Sequence, residues 1–143
     1  MYALKGKIAV VTGAGSGIGR ALAQLLAAKG CTLALADINE VGLKETAALL
    51  PTPPLLQKLD VADRAAVYDF AARVQKELGT VHIVINNAGV AVSQTVANLS
   101  YDDFEWIMGI NFWGVVYGTK AFLPMLTAQN DGVVVNLSSV FGI

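Results

Sequence analysis

Residues 12–19 read Thr12-Gly13-Ala14-Gly15-Ser16-Gly17-Ile18-Gly19, and this glycine-rich segment follows an apolar run at 8–11 and opens a helical pattern. It predicts a strand, a glycine-rich turn and a helix in succession. The first N–H groups of a helix have no intrahelical partner and lie at the positive end of its dipole, so they can bind a phosphate. Glycine allows a close backbone approach and positive φ. We therefore expect a phosphate-binding turn.

The spacing of the glycines narrows the kind of turn. The general dinucleotide pattern G-x-G-x-x-G fails, because it would need glycine in place of Ile18 or Arg20. The pattern T-G-x-x-x-G-x-G fits Thr12, Gly13, Gly17 and Gly19. A tight turn without any ligand is the alternative, but the flanking strand and helix favour phosphate binding.

Composition and charge exclude several classes of partner. The 143 residues carry 10 Lys and Arg against 11 Asp and Glu, a net charge of -1, and no basic cluster. Nucleic acid and anionic membrane surfaces are therefore not expected as partners. With 55% hydrophobic residues, much of the chain must be buried. The length predicts one domain over 1–143 that binds a small ligand.

The single cysteine and the N-terminus indicate where the protein resides. Cys31 is the only cysteine, which excludes an internal disulfide and a cysteine-based metal site, and no metal is expected. The residues before the first strand show no signal-peptide pattern. The longest apolar stretch contains Asn111, so it predicts a buried helix and not a membrane span. We expect a cytoplasmic protein.

Strand and helix patterns alternate along the chain, which predicts an α/β domain with a parallel sheet. The predicted strands are 8–12, 32–37, 55–59, 81–85 and 133–137. The predicted helices follow the glycine turn, span about 40–50 and 63–78, and begin after Ser100. On the first helix, the expected buried stripe is Ile18, Ala21, Leu22, Leu25 and Leu26.

The helix after Ser100 is apolar on two sides. Ser100 and Asp103 predict a capping box. One stripe comprises Phe104, Ile107, Met108, Asn111, Phe112, Val115 and Val116, and the other comprises Trp106, Ile110, Trp113 and Tyr117. The sheet can cover one stripe, so the second implies another helix or subunit, and three glycines (Gly109, Gly114, Gly118) permit close approach. The amide of Asn111 is expected to be buried and hydrogen-bonded, in a structural or a functional role.

Asp37 ends the second predicted strand, 20 residues after Gly17. An acidic side chain there accepts hydrogen bonds from ribose hydroxyls, and it would repel a 2′-phosphate. Ser16 is not basic and Ile38 follows the aspartate, so neither supplies a cation for NADP. The pattern favours NAD, although Asp37 as a cap for the next helix is an alternative. His82 and the aromatic residues of the long helix are interpreted as structural.

Four motifs in the same order make the chain resemble the short-chain dehydrogenase/reductase family. They are the turn at 12–19, Asp60-Val61 after the third strand, Asn86-Asn87-Ala88-Gly89 after the fourth, and Asn136-Leu137-Ser138-Ser139 at the end of the fifth. The resemblance implies a Rossmann-type doubly wound parallel sheet of order 3-2-1-4-5. It also implies hydride transfer between NAD(P)(H) and a small alcohol or carbonyl compound.

The resemblance also implies residue roles. It places the cofactor against Thr12, Gly13, Ser16, Gly17, Ile18, Gly19, Asp37, Ile38, Asp60, Val61, Asn87, Ala88 and Gly89. Among these, Asp60 would bond the adenine amino group and the N–H of Val61 the ring. Ser139 would hydrogen-bond the substrate oxygen. Asn111 would help to hold a water in a proton relay.

The family's Y-x-x-x-K motif, which handles the proton, is not present among the 143 residues. We therefore expect a C-terminally truncated chain that binds cofactor without turnover, with an uncovered apolar edge at 133–135. Two other classes stay open: a genuine nucleotide-binding module without catalysis, and a scaffold that has lost the cofactor. In the full-length protein, the helix that carries Asn111 is expected to form a homo-oligomer interface. The sequence does not select a substrate.

Overall fold

The computed structural model describes residues 3–139, in which strands and helices alternate as predicted. The strands are β1 (Ile8–Thr12), β2 (Thr32–Asp37), β3 (Leu55–Lys58), β4 (Ile83–Asn86) and β5 (Val133–Asn136). The helices are α1 (Gly17–Ala28), α2 (Glu40–Ala48), α3 (Arg64–Leu78), α4 (Tyr101–Met108) and α5 (Gly114–Ala128). A π-helical turn, Gly109–Trp113, joins α4 to α5. None of these helices is long and apolar enough to cross a bilayer.

All neighbouring strands pair in parallel, and their order is β3-β2-β1-β4-β5. The predicted doubly wound, Rossmann-type α/β sheet is therefore confirmed. The chain winds outward from β1 to β3 and then returns to the other side of β1 with β4. In such sheets the strand ends diverge where the winding reverses, which leaves a crevice at the carboxyl ends of β1 and β4.

Two hydrophobic cores hold the helices to the two faces of the sheet. Alternate residues of one strand point to opposite faces, so Val10 packs with α3 and α5 while Val11 packs with α1 and α2. Both valines are fully buried. Phe70 of α3 and Phe122 of α5 meet edge to face, with ring centroids 5.8 Å apart. Both faces of the central strands are thus covered, as a parallel sheet requires.

The buried face of α1 differs from the predicted stripe. Ile18 and Leu25 are 64% and 55% exposed, and Ala21 is exposed as well, so the expectation that these three residues are buried is wrong. The buried residues are Gly19, Ala23, Leu26 and Ala27. Three of them are small and spaced at i, i+4, which lets the helix axis lie close to the sheet. Because this face of α1 packs on the sheet, Ile18 lies on the exposed side of the helix.

The buried surface of α5 begins with Gly114 and Gly118 and continues with larger residues, Ala121, Phe122, Met125 and Leu126. Of the second predicted stripe, Ile110 and Tyr117 pack partly against the same core. A Cβ added to Gly114 would lie 2.7 Å from a methyl of Val61, and one added to Gly118 would lie 2.3 Å from Asn86 Oδ1. The close approach predicted for these two glycines is confirmed. The predicted capping box of Ser100 is also present. The stripe residues Phe104, Trp106, Met108, Phe112 and Trp113 are each 40–49% exposed.

The predicted apolar edge is present on β5. Val133 and Val135 are 39% and 40% exposed, and β5 pairs with β4 alone among the described strands. An unpaired edge of this kind is a template for association with another chain.

Candidate functional site

A cavity of about 350 Å³ opens at the carboxyl ends of the strands, in the crevice beside β1 and β4. The predicted cofactor residues that line it are Gly13, Ser16, Gly17, Ile18, Asp37, Ile38, Asp60, Val61, Asn87, Ala88 and Gly89. Leu59, Val90 and Ile110 complete the lining. Residues from five separate stretches of the sequence therefore meet in one place.

The glycine turn leaves the start of α1 open toward this cavity. Gly13 and Gly17 have φ of +66° and +50°, a conformation that other residues adopt only with strain. Ser16 is extended and its side chain makes no capping hydrogen bond to α1. A Cβ added to Gly17 would meet no atom within 4 Å. The first N–H groups of α1 are therefore not capped by Ser16, and the space in front of them is free. Both features fit the binding of a pyrophosphate.

Thr12, Gly19 and Asn87 lock the turn to the opposite wall of the cavity. Thr12 Oγ1 accepts hydrogen bonds from the N–H groups of Asn87 and Ala88, both at 3.1 Å. The Asn87 amide donates to the carbonyls of Thr12 and Gly13 at 2.9 and 3.2 Å. A Cβ on Gly19 would lie 2.1 Å from the Gly13 oxygen. Thr12 and Gly19 thus fix the shape of the turn through these contacts, but they do not line the cavity.

Asp37 supports the turn and also faces the cavity. Its Oδ2 accepts a hydrogen bond from the Gly15 N–H and its Oδ1 accepts one from the Asn39 N–H, both at 2.8 Å. A carboxylate has about four acceptor positions, so two remain for hydroxyl groups. Asn39, not Asp37, caps α2, because its side chain accepts from the Gly42 N–H. The alternative that Asp37 is the helix cap is therefore wrong.

Asp60 and Val61 form the wall that follows β3. Asp60 is exposed, and its Oδ1 accepts a hydrogen bond from the Ala62 N–H at 2.9 Å. Val61 is 8% exposed because its side chain packs against Gly114 of α5. The carboxylate of Asp60 is thus held at the rim of the cavity by its own backbone turn.

Asn111 lies in the π-helical turn and is exposed, so the prediction that it is buried is wrong. The predicted hydrogen bonds are present: its side chain accepts from the Val90 N–H at 2.9 Å and donates to the Val90 carbonyl at 2.8 Å. This two-bond pairing satisfies the amide without burial. Asn111 does not line the cavity, but it holds Val90, which does.

Ser139 is the last described residue, and it is exposed. It lies beyond the end of β5, at the same edge of the sheet as the residues that follow β1 and β4. It does not line the cavity. The two predicted catalytic residues therefore lie outside the lining of this cavity.

The other polar and aromatic residues weighed from the sequence have packing partners. His82 Nδ1 accepts a hydrogen bond from the Ile8 N–H at 3.1 Å. Cys31 is buried, its thiol lies 3.2 Å from the Leu4 carbonyl, and burial raises its pKa. Trp113 and Tyr117 stack with centroids 5.7 Å apart. Within residues 3–139, no group of three or more His, Cys, Asp or Glu could hold a metal.

Three lining residues were not predicted, for different reasons. Leu59 and Val90 are the direct neighbours of Asp60 and Gly89, so an extension of each motif by one residue would have found them. Ile110 reaches the cavity from the π-helical turn. No local pattern marks such a turn, so its contribution depends on the tertiary position of α5.

A parallel Rossmann-type sheet with a glycine turn at the crevice defines the class of protein. The sequence profile of the family described as short chain dehydrogenase matches residues 7–143. The chain belongs to this family. The predicted family resemblance is therefore confirmed.

Two curated relatives illustrate the similarity. SadH of Mycobacterium tuberculosis, which carries a provisional oxidoreductase name, is 49% identical over 100% of this chain and 53% of its own length. The meso-2,3-butanediol dehydrogenase of Serratia marcescens is 38% identical over 96% of this chain and 55% of its own length. The chain spans about half the length of these relatives.

Solved structures show the same fold. A short chain dehydrogenase/reductase from Burkholderia phymatum, crystallised in complex with NAD, superposes with a TM-score of 0.95 at 38% identity. The match covers 98% of this chain and 51% of that one. Levodione reductase superposes with a TM-score of 0.91 at 32% identity, over 95% of this chain and 55% of that one.

Proposed function

We propose that this chain is the cofactor-binding part of an NAD(H)-dependent oxidoreductase that interconverts a small alcohol and a carbonyl compound by hydride transfer. The observation that carries the proposal is the open start of α1 beside the carboxylate of Asp37, both facing one cavity. The NAD complex of the Burkholderia relative supports a nicotinamide dinucleotide. When bound, the nicotinamide supplies the hydride chemistry.

Each wall of the cavity has a part in this proposal. The N–H groups at Ser16, Gly17 and Ile18 hold the pyrophosphate, and Asp37 accepts hydrogen bonds from the adenosine ribose. Asp60 accepts from the adenine amino group, with the Val61 N–H on the ring. The segment Asn87–Gly89 lies beside the ribose. Ile38 and Ile110 are apolar residues of the same cavity lining.

The charges favour NAD over NADP. A 2′-phosphate on the adenosine ribose would lie next to the Asp37 carboxylate, and like charges repel. Arg20 is the cation closest in sequence to the turn, but its guanidinium donates to Gly15, Gly42, Glu45 and Thr46. It does not line the cavity, and its ion pair with Glu45 reduces the positive charge that it could present to a 2′-phosphate.

The proposed proton chemistry uses Ser139 and Asn111. Ser139 hydrogen-bonds the substrate oxygen, while Asn111 holds a water and keeps Val90 in place through its two hydrogen bonds. None of the 143 residues forms a Y-x-x-x-K motif, so we expect these residues alone to bind cofactor without turnover. Cofactor-dependent reduction of a carbonyl compound by pure 143-residue chain would contradict this.

The exposed aromatic face of α4 and the π-helical turn supports a further part of the proposal, association with a second copy of the chain. Trp106, Phe112 and Trp113 are each nearly half exposed. Large exposed apolar patches typically mark interaction surfaces. A cytoplasmic location is also proposed, because the only cysteine of the sequence is a buried thiol and not part of a disulfide.

A titration of NADH fluorescence tests cofactor binding, with a matched pair of glycine variants. Gly17 and Gly79 both have positive φ, +50° and +86°, and a Cβ added to either meets no atom within 4 Å. Gly17→Ala therefore strains the backbone beside the cavity, whereas Gly79→Ala strains the backbone at the end of α3 to a similar extent. We expect Gly17→Ala to raise the Kd for NADH at least about tenfold, or about 1.4 kcal/mol, and Gly79→Ala to leave it unchanged. Equal binding by both variants would contradict the proposed site.

A further inference from the structure

Arg20 ties the glycine turn to helix α2. Its Nη2 donates to the Gly15 carbonyl at 2.6 Å and to Glu45 Oε2 at 2.8 Å, with a longer contact to the Gly42 carbonyl at 3.4 Å. Its Nε donates to Thr46 Oγ1 at 3.0 Å. One side chain of α1 thus reaches three residues of α2 and one peptide group of the turn.

Thr46 completes the connection from inside the protein. It is fully buried, and its hydroxyl accepts from Arg20 and donates to the Ala14 carbonyl at 2.8 Å. The Ala14 carbonyl is therefore held by Thr46 of α2, and the Gly15 carbonyl is held by Arg20. The N–H of Gly15 is held by Asp37 on the other side. Hydrogen bonds fix the Ala14–Gly15 segment immediately before the N–H groups that face the cavity.

We propose that Arg20 and Thr46 are positioning residues, which hold two successive carbonyls of the glycine turn on α2 and so set the turn in the form that receives a pyrophosphate. This inference rests on the proposed function, because it concerns binding of NAD(H) at the same cavity. Neither residue lines the cavity, so both act through the backbone of the turn. Small displacements of groups that position a ligand can cost a large factor in binding or rate.

Arg73 provides a matched arginine that does not line the cavity and does not contact the glycine turn. It lies on α3, pairs with Glu77 at 2.7 Å, and donates to the Leu56 carbonyl and to Gln57 Oε1 at 2.8 and 2.9 Å. Like Arg20, it combines an ion pair with a bond to a backbone carbonyl. Loss of either guanidinium removes similar contacts, but only Arg20 touches the glycine turn.

The test compares two ligands in the full chain. NADH contains the pyrophosphate, whereas adenosine lacks it and is measured as a competitor of NADH fluorescence. Arg20→Ala and Thr46→Val are expected to raise the Kd for NADH about tenfold, while the inhibition constant of adenosine changes less than about twofold. Thr46→Ser keeps the hydroxyl and is expected to restore NADH binding to within about twofold, and Arg73→Ala is expected to leave both constants unchanged.

The outcomes separate a positioning role from a merely structural one. If Arg20→Ala and Thr46→Val bind NADH as tightly as the unsubstituted chain, the inference is overturned while the proposed function stands. The inference is also overturned if both ligands weaken equally, or if Arg73→Ala behaves like Arg20→Ala, since either result indicates a general loss of stability. Failure of the unsubstituted chain to bind NADH would overturn the proposed function and this inference together.

Discussion

Replacement of Asp37 by asparagine removes a negative charge from the cavity and keeps much of the local structure. The Asp37 carboxylate accepts hydrogen bonds from the Gly15 and Asn39 N–H groups. The side-chain oxygen of asparagine can keep one of these bonds. We therefore expect Asp37→Asn to bind NADPH more tightly than the unsubstituted chain does, with a smaller loss of NADH affinity.

The size of the effect follows from the charges. Two unit charges 4 Å apart near a protein surface interact by about 4 kcal/mol. Asp37 is only partly buried, so solvent and salt reduce this to roughly 2 to 3 kcal/mol. Such a repulsion corresponds to a factor of roughly 30 to 150 in Kd. The ratio of the two Kd values, NADPH over NADH, is expected to fall by about this factor.

Fluorescence titration with each cofactor, at low and at high salt, measures the ratio. Because screening weakens the repulsion, the ratio for the unsubstituted chain should shrink as salt is added. Asp60→Asn is the matched control, since Asp60 lines the same cavity but is proposed to face the adenine. It should leave the ratio unchanged. A ratio that does not move in Asp37→Asn, or moves equally in Asp60→Asn, would refute the assignment of Asp37 to the ribose.

Three further predictions concern the elements that shape the cavity. Gly19→Ala would force a Cβ to within 2.1 Å of the Gly13 carbonyl oxygen and should lower the free energy of unfolding by about 3 kcal/mol in urea denaturation. Thr12→Val removes a buried acceptor of two N–H groups and should cost about 2 kcal/mol in the same assay, whereas Thr12→Ser should cost less than about 1 kcal/mol. Asn111→Ala should change stability by less than about 1 kcal/mol, because the pair is exposed, but should speed amide hydrogen exchange at Val90.

Each of these predictions has an outcome that contradicts it. Gly89→Ala is the control for Gly19→Ala, since its Cβ would make ordinary contact at 3.4 Å, and equal costs for both would mean that close packing does not explain Gly19. Equal stability of the valine and serine variants at Thr12 would exclude its hydroxyl as the link between the cavity walls. Unchanged exchange at Val90 would show that Asn111 does not hold that segment.

Much of the fold could be predicted from the sequence because each element has a local signal. Four of the five strands are mainly apolar and each ends at a polar residue, while β3 is marked by Leu55-Leu56 after a proline-rich stretch. The helices between the strands favour parallel pairing. The buried face of α1 could not be read from hydrophobicity, because the small residues Gly19, Ala23 and Ala27 decide it. Large residues such as Ile18 and Leu25 are left outside.

The lining of the cavity was largely predictable because the carboxyl ends of parallel strands meet at one edge. Motifs that each follow a strand, such as Asp37, Asp60 and Asn87, must then lie near one another. The contacts that hold the turn were not predicted. Arg20 and Thr46 are 26 residues apart, and their pairing depends on how α2 packs beside α1. Long-range hydrogen bonds of this kind have no local signature.

In the proposed complex, NAD(H) lies in the cavity with its pyrophosphate at the start of α1. This placement can be measured by titration of NADH into the isotope-labelled chain, followed by the backbone amide signals. We expect saturable shifts at Ser16, Gly17 and Ile18, together with shifts at Val61, and none at Gly79, which follows the end of α3. The absence of saturable shifts, or shifts confined to residues outside the cavity, would contradict this placement.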